Sequence, residues 1–252
     1  MTDALRLFGM KAIVTGAATG IGEATVRTLV KHGASVLAVD VESSGIDKHF
    51  ATLRGVTGFP ANIRTEGVAQ QIADKAATLL GGIDILVCNI DSHADRPLTD
   101  EDQQEIMQHL QRRGALMTGL FEAALPQLKK SPAGRVINIG CLRSEFAANA
   151  DNAFATAQET LASMTRTQAA MLGKFGITSN YIQPGAIMTP ESRRIYSAAR
   201  DLRDHCIAMS AANRLGEPVD VAKVALFLAT DESAFVSGTG IVVDGCLVSG
   251  NQ

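Results

Sequence analysis

A glycine-rich segment and one acidic residue have the types and spacing needed to bind a dinucleotide. Glycines here permit a sharp turn, and they let a pyrophosphate approach the backbone at the start of a helix, whose N-terminus attracts phosphate. Asp40 lies 18 residues after Gly22, the last glycine of this segment. At that place a carboxylate can accept a hydrogen bond from a ribose 2′-hydroxyl and would repel a 2′-phosphate. This pattern predicts binding of NAD(H) rather than NADP(H) through Gly16, Thr19, Gly20, Ile21, Gly22 and Asp40.

A second group of reactive side chains is expected on loops that follow strands and face the same cleft. Cys141 is the candidate nucleophile in this group. A lone cysteine is more often inert, and the sequence indicates no base beside the thiol. The Asp-x-His-x-Asp loop formed by Asp91, His93 and Asp95 is more often exposed to solvent. Chemistry built on Cys141 is therefore not the favoured interpretation. The other loop residues are Asp91, His93, Asp95, Arg96, Arg143 and Glu145.

These residues must be positioned by alternating strands and helices. Short β-branched, apolar runs alternate with longer amphipathic stretches along the whole chain, which is typical of βαβ units that build a parallel sheet. The first helix is predicted from Thr19 to His32 and ends at Gly33, and Ala153–Lys174 is predicted as the longest helix. The predicted strands are Lys11–Thr15, Ser35–Asp40, Gly55–Pro60, Ile83–Asn89, Arg135–Gly140, Thr178–Gln183 and Gly240–Asp244.

No repeat, low-complexity tract or linker interrupts this alternation. We therefore expect one domain over residues 1–252. Its fold class is α/β, a single-domain Rossmann fold with a doubly wound, seven-stranded parallel sheet flanked by helices.

Three further motifs accompany the glycine-rich segment at Thr15–Gly22. They are Pro184–Pro190, with the pattern PGxxxT, then Arg214–Pro218, and Val243–Gly245. Together with TGxxxGxG at Thr15–Gly22, they resemble the short-chain dehydrogenase/reductase family along essentially the whole chain. The resemblance implies that a mobile substrate lid lies at about residues 188–212. It also implies further nucleotide contacts through Asn62, Ile63, Asn89, Pro184, Gly185, Ile187 and Thr189.

The strand end at Cys88-Asn89-Ile90-Asp91 departs from the family pattern, which has Asn-Asn-Ala-Gly. Small residues at the last two positions let the cofactor ribose lie close to the strand. Ile90 and Asp91 are bulkier, and Asp91 is charged. If these side chains point inward, they narrow the cleft that NAD(H) would occupy.

The family's four catalytic positions are all changed. Its tyrosine, lysine, serine and asparagine correspond to Phe154, Gln158, Cys141 and Arg113. Phenylalanine has no ionisable oxygen, glutamine has no charge, and a thiol is a weak donor. We therefore expect a catalytically inactive family member that keeps NAD(H) binding and acts as a non-catalytic or regulatory subunit. The alternative is an active NAD-dependent oxidoreductase of alcohols and ketones with rearranged catalytic groups.

Composition excludes several other classes of function. The net charge is −3, which offers no basic surface for nucleic acid. No apolar run spans a bilayer, Met1–Lys11 lacks a signal-peptide core, and the four cysteines lack metal-ligand spacing. The sequence thus predicts a cytoplasmic protein without a metal or a membrane partner. The resemblance implies a homotetramer, or a hetero-oligomer with an active paralogue, and an unidentified small-molecule ligand.

Overall fold

A computed structural model describes residues 6–90, 97–147 and 149–246 of the chain. Seven strands form one parallel sheet in the order β3-β2-β1-β4-β5-β6-β7, and this confirms the predicted fold class. The sequence order reverses between β1 and β4, and clefts at such a switch point bind ligands in open α/β sheets. The strands are β1 Lys11–Thr15, β2 Ser35–Asp40, β3 Val56–Pro60, β4 Ile85–Cys88, β5 Arg135–Ile139, β6 Thr178–Pro184 and β7 Gly240–Val243.

Helices cover both faces of the sheet. One apolar cluster joins α1 and α8 to the strands, and a second joins α3, α4 and α5 to the opposite face. The longest helix is α4, with 26 residues against 22 in α5, so the prediction for the longest helix was wrong. The helices are α1 Gly20–Lys31, α2 Ile46–His49, α3 Val68–Leu80, α4 Gln103–Leu128, α5 Asp151–Leu172, α6 Pro190–Ala198, α7 Arg200–Met209 and α8 Pro218–Ala229.

Most of the apolar residues that could have faced another subunit from α4 and α5 belong to the core of this chain. Leu120, Phe121, Ala124 and Leu161 are all buried in the apolar cluster against the sheet. An apolar stripe has the same period whether it meets a sheet or a second subunit, so sequence could not separate the two cases. Among the described residues, no helix is long and apolar enough to cross a membrane.

Candidate functional site

The glycine turn after β1 depends on close backbone contacts. A Cβ atom on Gly22 would lie 1.8 Å from the carbonyl oxygen of Gly16, and one on Gly16 would lie 2.8 Å from the carbonyl oxygen of Asn89. Gly16 and Gly20 also have φ values of 57° and 55°, in the left-handed region that favours glycine. These positions need glycine for steric reasons alone. The turn they form leaves backbone N–H groups open to a phosphate at the start of α1.

Asp40 lies at the end of β2, beside this turn. Its Oδ2 accepts from the backbone N–H of Ala18 at 2.8 Å, and its Oδ1 accepts from that of Val41 at 2.7 Å. The carboxylate is thus held at the edge of a pocket that Asn62 and Ile63 also line. The Oδ1 of exposed Asn62 accepts from the N–H of Arg64, and one lone pair of that oxygen remains for an adenine amine.

Asn89 fixes the floor of the cleft at the end of β4. Its backbone exchanges hydrogen bonds with the Thr15 hydroxyl, and its Nδ2 donates to the carbonyl of Gly16 at 3.0 Å. Ile90 is 5% exposed, and it lines both the Asp40 pocket and the deeper cleft beside Gly140. The Ile90 side chain is therefore buried at the cleft, the placement in which its bulk narrows the space for NAD(H).

The opposite wall of the cleft comes from the segment after β6. Pro184 ends β6, and Gly185 packs so tightly that a Cβ would lie 2.5 Å from that of Asp244. Ile187 and Thr189 are buried, and Thr189 lines the cleft opposite Gly20. The Thr189 hydroxyl already accepts from the N–H of Ser192 and so caps α6.

Arg113, on α4, joins two neighbouring strand ends beneath the cleft. Its guanidinium donates to the carbonyl of Ile90 after β4, and to those of Ile139 and Gly140 at the end of β5 at 3.0 and 3.2 Å. The residue is 7% exposed. A buried cation therefore stands where the family has an asparagine, and three carbonyl groups hold it there.

The positions of the family tyrosine and lysine lie on α5. The Phe154 ring packs edge-on against Phe146, with the ring centroids 5.5 Å apart. Gln158 is 5% exposed, and neither atom of its amide has a hydrogen-bond partner within the described chain. A Cβ on Gly140 would lie 3.0 Å from the Gln158 Oε1, so this amide lies directly behind the cleft wall.

Three donor atoms converge at the position of the family serine. The Cys141 Sγ is 4.0 Å from the His109 Nε2, which is 3.3 Å from the Glu145 Oε2. Burial raises the pKa of the Cys141 thiol to about 12, although the nearby Arg113 charge lowers it. Burial also disfavours the charged form of Glu145, but contact with the His109 imidazole and the Arg113 charge hold the pKa of that carboxyl below its usual value.

A family model described as Enoyl-(Acyl carrier protein) reductase, of the short-chain dehydrogenase type, matches residues 16–247. The chain belongs to the short-chain dehydrogenase/reductase family. It is 28% identical to 3-oxoacyl-[acyl-carrier-protein] reductase FabG of Thermotoga maritima, over 97% of this chain and 100% of the relative. It is 30% identical to oxidoreductase UcpA of Salmonella typhimurium, over 95% of each chain. It is 29% identical to L-fucose dehydrogenase of Rattus norvegicus, over 95% of this chain and 90% of the relative.

These relatives correct the expectation of an inactive family member. Each is named as a reductase, an oxidoreductase or a dehydrogenase, and each matches nearly the full length of this chain. The similarity therefore supports the alternative, an oxidoreductase with rearranged catalytic groups. Replacement of the family's tyrosine and lysine shows that one proton-transfer arrangement is gone, which is a narrower statement than loss of activity.

Several residues predicted near the family's catalytic centre have structural roles instead. Arg143 is 1% exposed and donates to the carbonyls of Phe146 and Ala147 at 3.0 and 2.8 Å. Tyr196, on α6 in the predicted lid, is 2% exposed, and burial raises the pKa of its phenol well above the usual value. The predicted lid also contains four exposed arginines, Arg193, Arg194, Arg200 and Arg203. Asp91, His93, Asp95 and Arg96 lie outside the described residues.

His109 is the site residue that the sequence analysis missed. It lies four residues before Arg113 on α4, so both side chains share one helix face. That spacing from a position already assigned to the cleft was the available signal. With His109 beside the thiol, Cys141 has the basic neighbour that the sequence had failed to indicate.

Proposed function

We propose that this chain is an NAD(H)-dependent oxidoreductase that interconverts an alcohol and a carbonyl group, with catalytic groups that differ from the family's usual four. The observation that carries the proposal is the single cleft that joins Gly20 of the nucleotide turn to Arg113, Gly140 and Glu145 at the substrate end. The full-length relatives named as oxidoreductases support the same reaction class. NAD(H), when bound, supplies or accepts the hydride.

Asp40 supports a preference for NAD(H). Its carboxylate is held by the N–H groups of Ala18 and Val41, and carboxylate oxygens retain lone pairs for the adenosine ribose hydroxyls. A 2′-phosphate at this point would meet a fixed negative charge. A Cβ at Gly16 or Gly22 would clash with neighbouring backbone atoms, so only glycine permits this tight turn. The tight turn is what lets a pyrophosphate approach the backbone.

The unpartnered amide of Gln158 supports a nicotinamide ribose at the inner end of the cleft. A buried amide without partners costs about 1–3 kcal/mol, and Gln158 takes the place of the lysine that holds this ribose in the family. An amide can bind the ribose hydroxyls as both donor and acceptor. The Arg113 cation beneath the cleft would stabilise negative charge that develops on a substrate oxygen.

Calorimetric titration with NADH and with NADPH tests the cofactor assignment. We expect micromolar NADH binding and much weaker NADPH binding. Asp40→Ser should weaken NADH binding and narrow the difference between the two nucleotides, because it removes the charge and the second acceptor. Glu42→Gln removes an exposed charge just after β2 and serves as the matched control. Failure of both nucleotides to bind would contradict the proposal.

Turnover over a panel of alcohols and ketones tests the reaction. We expect NADH-linked activity in the natural chain without restoration of the family residues. The double variant Phe154→Tyr with Gln158→Lys is the comparison. Activity in the double variant alone, with none in the natural chain over the whole panel, would show that the rearranged groups do not support the reaction.

Assembly into a homo-oligomer is a further part of the proposal. It is supported by apolar surface that the core of this chain leaves uncovered near the end of α5, where Met171 and Phe175 are 56% and 42% exposed. Exposed apolar side chains that lie together can mark a contact surface between subunits. Light scattering of the purified chain measures the oligomeric state, and a monomer at micromolar concentration would contradict this part.

A further inference from the structure

The side chains of His109, Cys141 and Glu145 meet around a common point. The donor atoms of the three residues, Nε2, Sγ and a carboxylate oxygen, all lie within 4.8 Å of one another. The two measured separations from the His109 Nε2 are 3.3 Å to the Glu145 Oε2 and 4.0 Å to the Cys141 Sγ. Zinc bonds of about 2.0–2.3 Å in a tetrahedral site place ligand atoms roughly 3.3–3.6 Å apart. Small side-chain movements would bring this group to that geometry.

The arrangement is convergent rather than linear. In a proton relay, a histidine would use one ring nitrogen toward the carboxylate and the other toward the reacting atom. Here the same nitrogen, Nε2, is the atom nearest to both the thiol and the carboxylate. One imidazole nitrogen cannot donate to two partners in good geometry, but it can share one metal ion with both of them.

Glu145 provides an independent observation. It is 5% exposed, and its Oε1 accepts from the N–H of Leu142 at 2.7 Å. Its Oε2 is buried without an aligned hydrogen bond. This oxygen lies 3.3 Å from the His109 Nε2 and close to the Cys141 Sγ, and a buried carboxylate is costly unless its charge is compensated. A cation held between the three ligand atoms would compensate it.

We propose that His109, Cys141 and Glu145 bind one Zn²⁺ ion. A thiolate and an imidazole select zinc over magnesium or calcium, which prefer oxygen ligands. A thiolate and a carboxylate together neutralise the two charges of the ion. The neighbouring Arg113 cation is held by the carbonyls of Ile90, Ile139 and Gly140. Because three protein ligands leave a fourth position for water or substrate, the site matches the catalytic class of zinc centres.

The location of the site suggests its use, and this part rests on the proposed function. Cys141 occupies the position of the family serine, which holds the substrate oxygen, and Glu145 lines the cleft. A zinc ion there would act as a Lewis acid that polarises a carbonyl oxygen. NADH, when bound, would supply the hydride to the carbonyl carbon, and a proton from solvent would go to the oxygen, so that the carbonyl is reduced to the alcohol as NADH is oxidised to NAD⁺.

Metal binding is tested on the full chain, without reference to activity. The protein is dialysed against a chelator and then titrated with Zn²⁺ by calorimetry and with Co²⁺ by absorbance. We expect one metal ion per chain and a thiolate-to-cobalt charge-transfer band. Cys141→Ser keeps the side-chain volume and should abolish the band. His109→Gln should weaken zinc binding by more than the roughly 10–100-fold that loss of an outer-shell partner costs.

Matched controls separate this site from unspecific binding. Cys206→Ser removes a buried thiol, and His205→Gln removes a partly buried imidazole, both on α7 outside the cluster. Neither should change the stoichiometry or the cobalt band. The proposal is overturned if no stoichiometric ion binds, or if the band survives Cys141→Ser. NADH titration of the same samples reports the proposed function separately, since NADH binding without zinc would leave that function standing and remove only the metal site.

Discussion

The two ends of the cleft are built by different means. At the nucleotide end, backbone contacts around Gly16 and Gly22 dictate the shape, and Asp40 is held by two N–H groups. At the substrate end, side chains dictate it, through the buried group of Arg113, Cys141 and Glu145. A backbone-built site tolerates almost no change at its glycines. A side-chain-built site can exchange its chemical groups while the fold persists, which explains how the family motif survives beside four altered catalytic positions.

The largest expected effect is at the nucleotide end. Gly22→Ala places a Cβ 1.8 Å from the carbonyl oxygen of Gly16, so the turn must move apart. We expect a loss of about 3 kcal/mol or more in the free energy of unfolding, together with loss of NADH binding, measured by denaturant titration and calorimetry. Gly173→Ala is the control, because nothing lies within 4 Å of its added Cβ. Normal NADH binding by Gly22→Ala would show that the nucleotide end does tolerate a change at its glycines.

The next effect is at the substrate end. Arg113→Met removes the donors to Ile90, Ile139 and Gly140 and the Arg113 charge that helps to keep the Glu145 carboxyl ionised. Removing one partner from such a buried polar group costs about 3–5 kcal/mol, which for a chain of this size lowers Tm by on the order of 10 °C. Arg112→Met, on an exposed position of the same helix, should change Tm little. Equal Tm values for the two variants would show that Arg113 does not hold the strand ends.

A smaller effect, with opposite signs in two assays, is expected at Gln158. Gln158→Met removes two unpartnered amide atoms, so the free protein should gain about 1 kcal/mol. NADH binding should weaken several-fold if the amide holds the ribose. Gln168→Met is the comparison further along α5. It removes the acceptor for the Asn138 amide and the Ser179 hydroxyl and should destabilise the chain. If Gln158→Met changed the free energy of unfolding and the NADH affinity in the same direction, this would count against a role of the Gln158 amide in binding the ribose.

A separate effect depends on pH. Burial raises the pKa of Cys88, at the end of β4, to about 12 from the usual value of 9.0. Above pH 9 the unfolded chain releases this proton and the folded chain keeps it, so the free energy of unfolding must fall as pH rises from about 9 to 12, by up to about 1.4 kcal/mol per unit for this thiol. Cys88→Ala should show a shallower fall. An unchanged slope would mean that Cys88 is less well buried than the structure shows.

Sequence predicted the nucleotide end and most of the fold because both depend on local patterns. Glycine spacing and strand periodicity are visible in the chain, and the seven strands lie within two residues of their predicted ends. The substrate end depends on contacts between α4 and the segment after β5, which sequence does not show. His109 and Cys141 are 32 residues apart, so the only sign of a base beside the thiol was the four-residue spacing of His109 from Arg113 on one helix face. The family pattern showed only that the usual tyrosine, lysine, serine and asparagine are absent from the substrate end.

The cap of α6 links this helix to the cleft. The Thr189 hydroxyl accepts from the N–H of Ser192, and it lies 3.2 Å from the Ser192 hydroxyl. If a ligand amide displaces the Ser192 N–H from this hydroxyl, the first turn of α6 loses its cap, at a cost of about 1 kcal/mol. Amide hydrogen exchange at the start of α6 would then speed up as the cleft fills. Occupancy of the site would thus be transmitted to α6 through the fraying of a single helical turn.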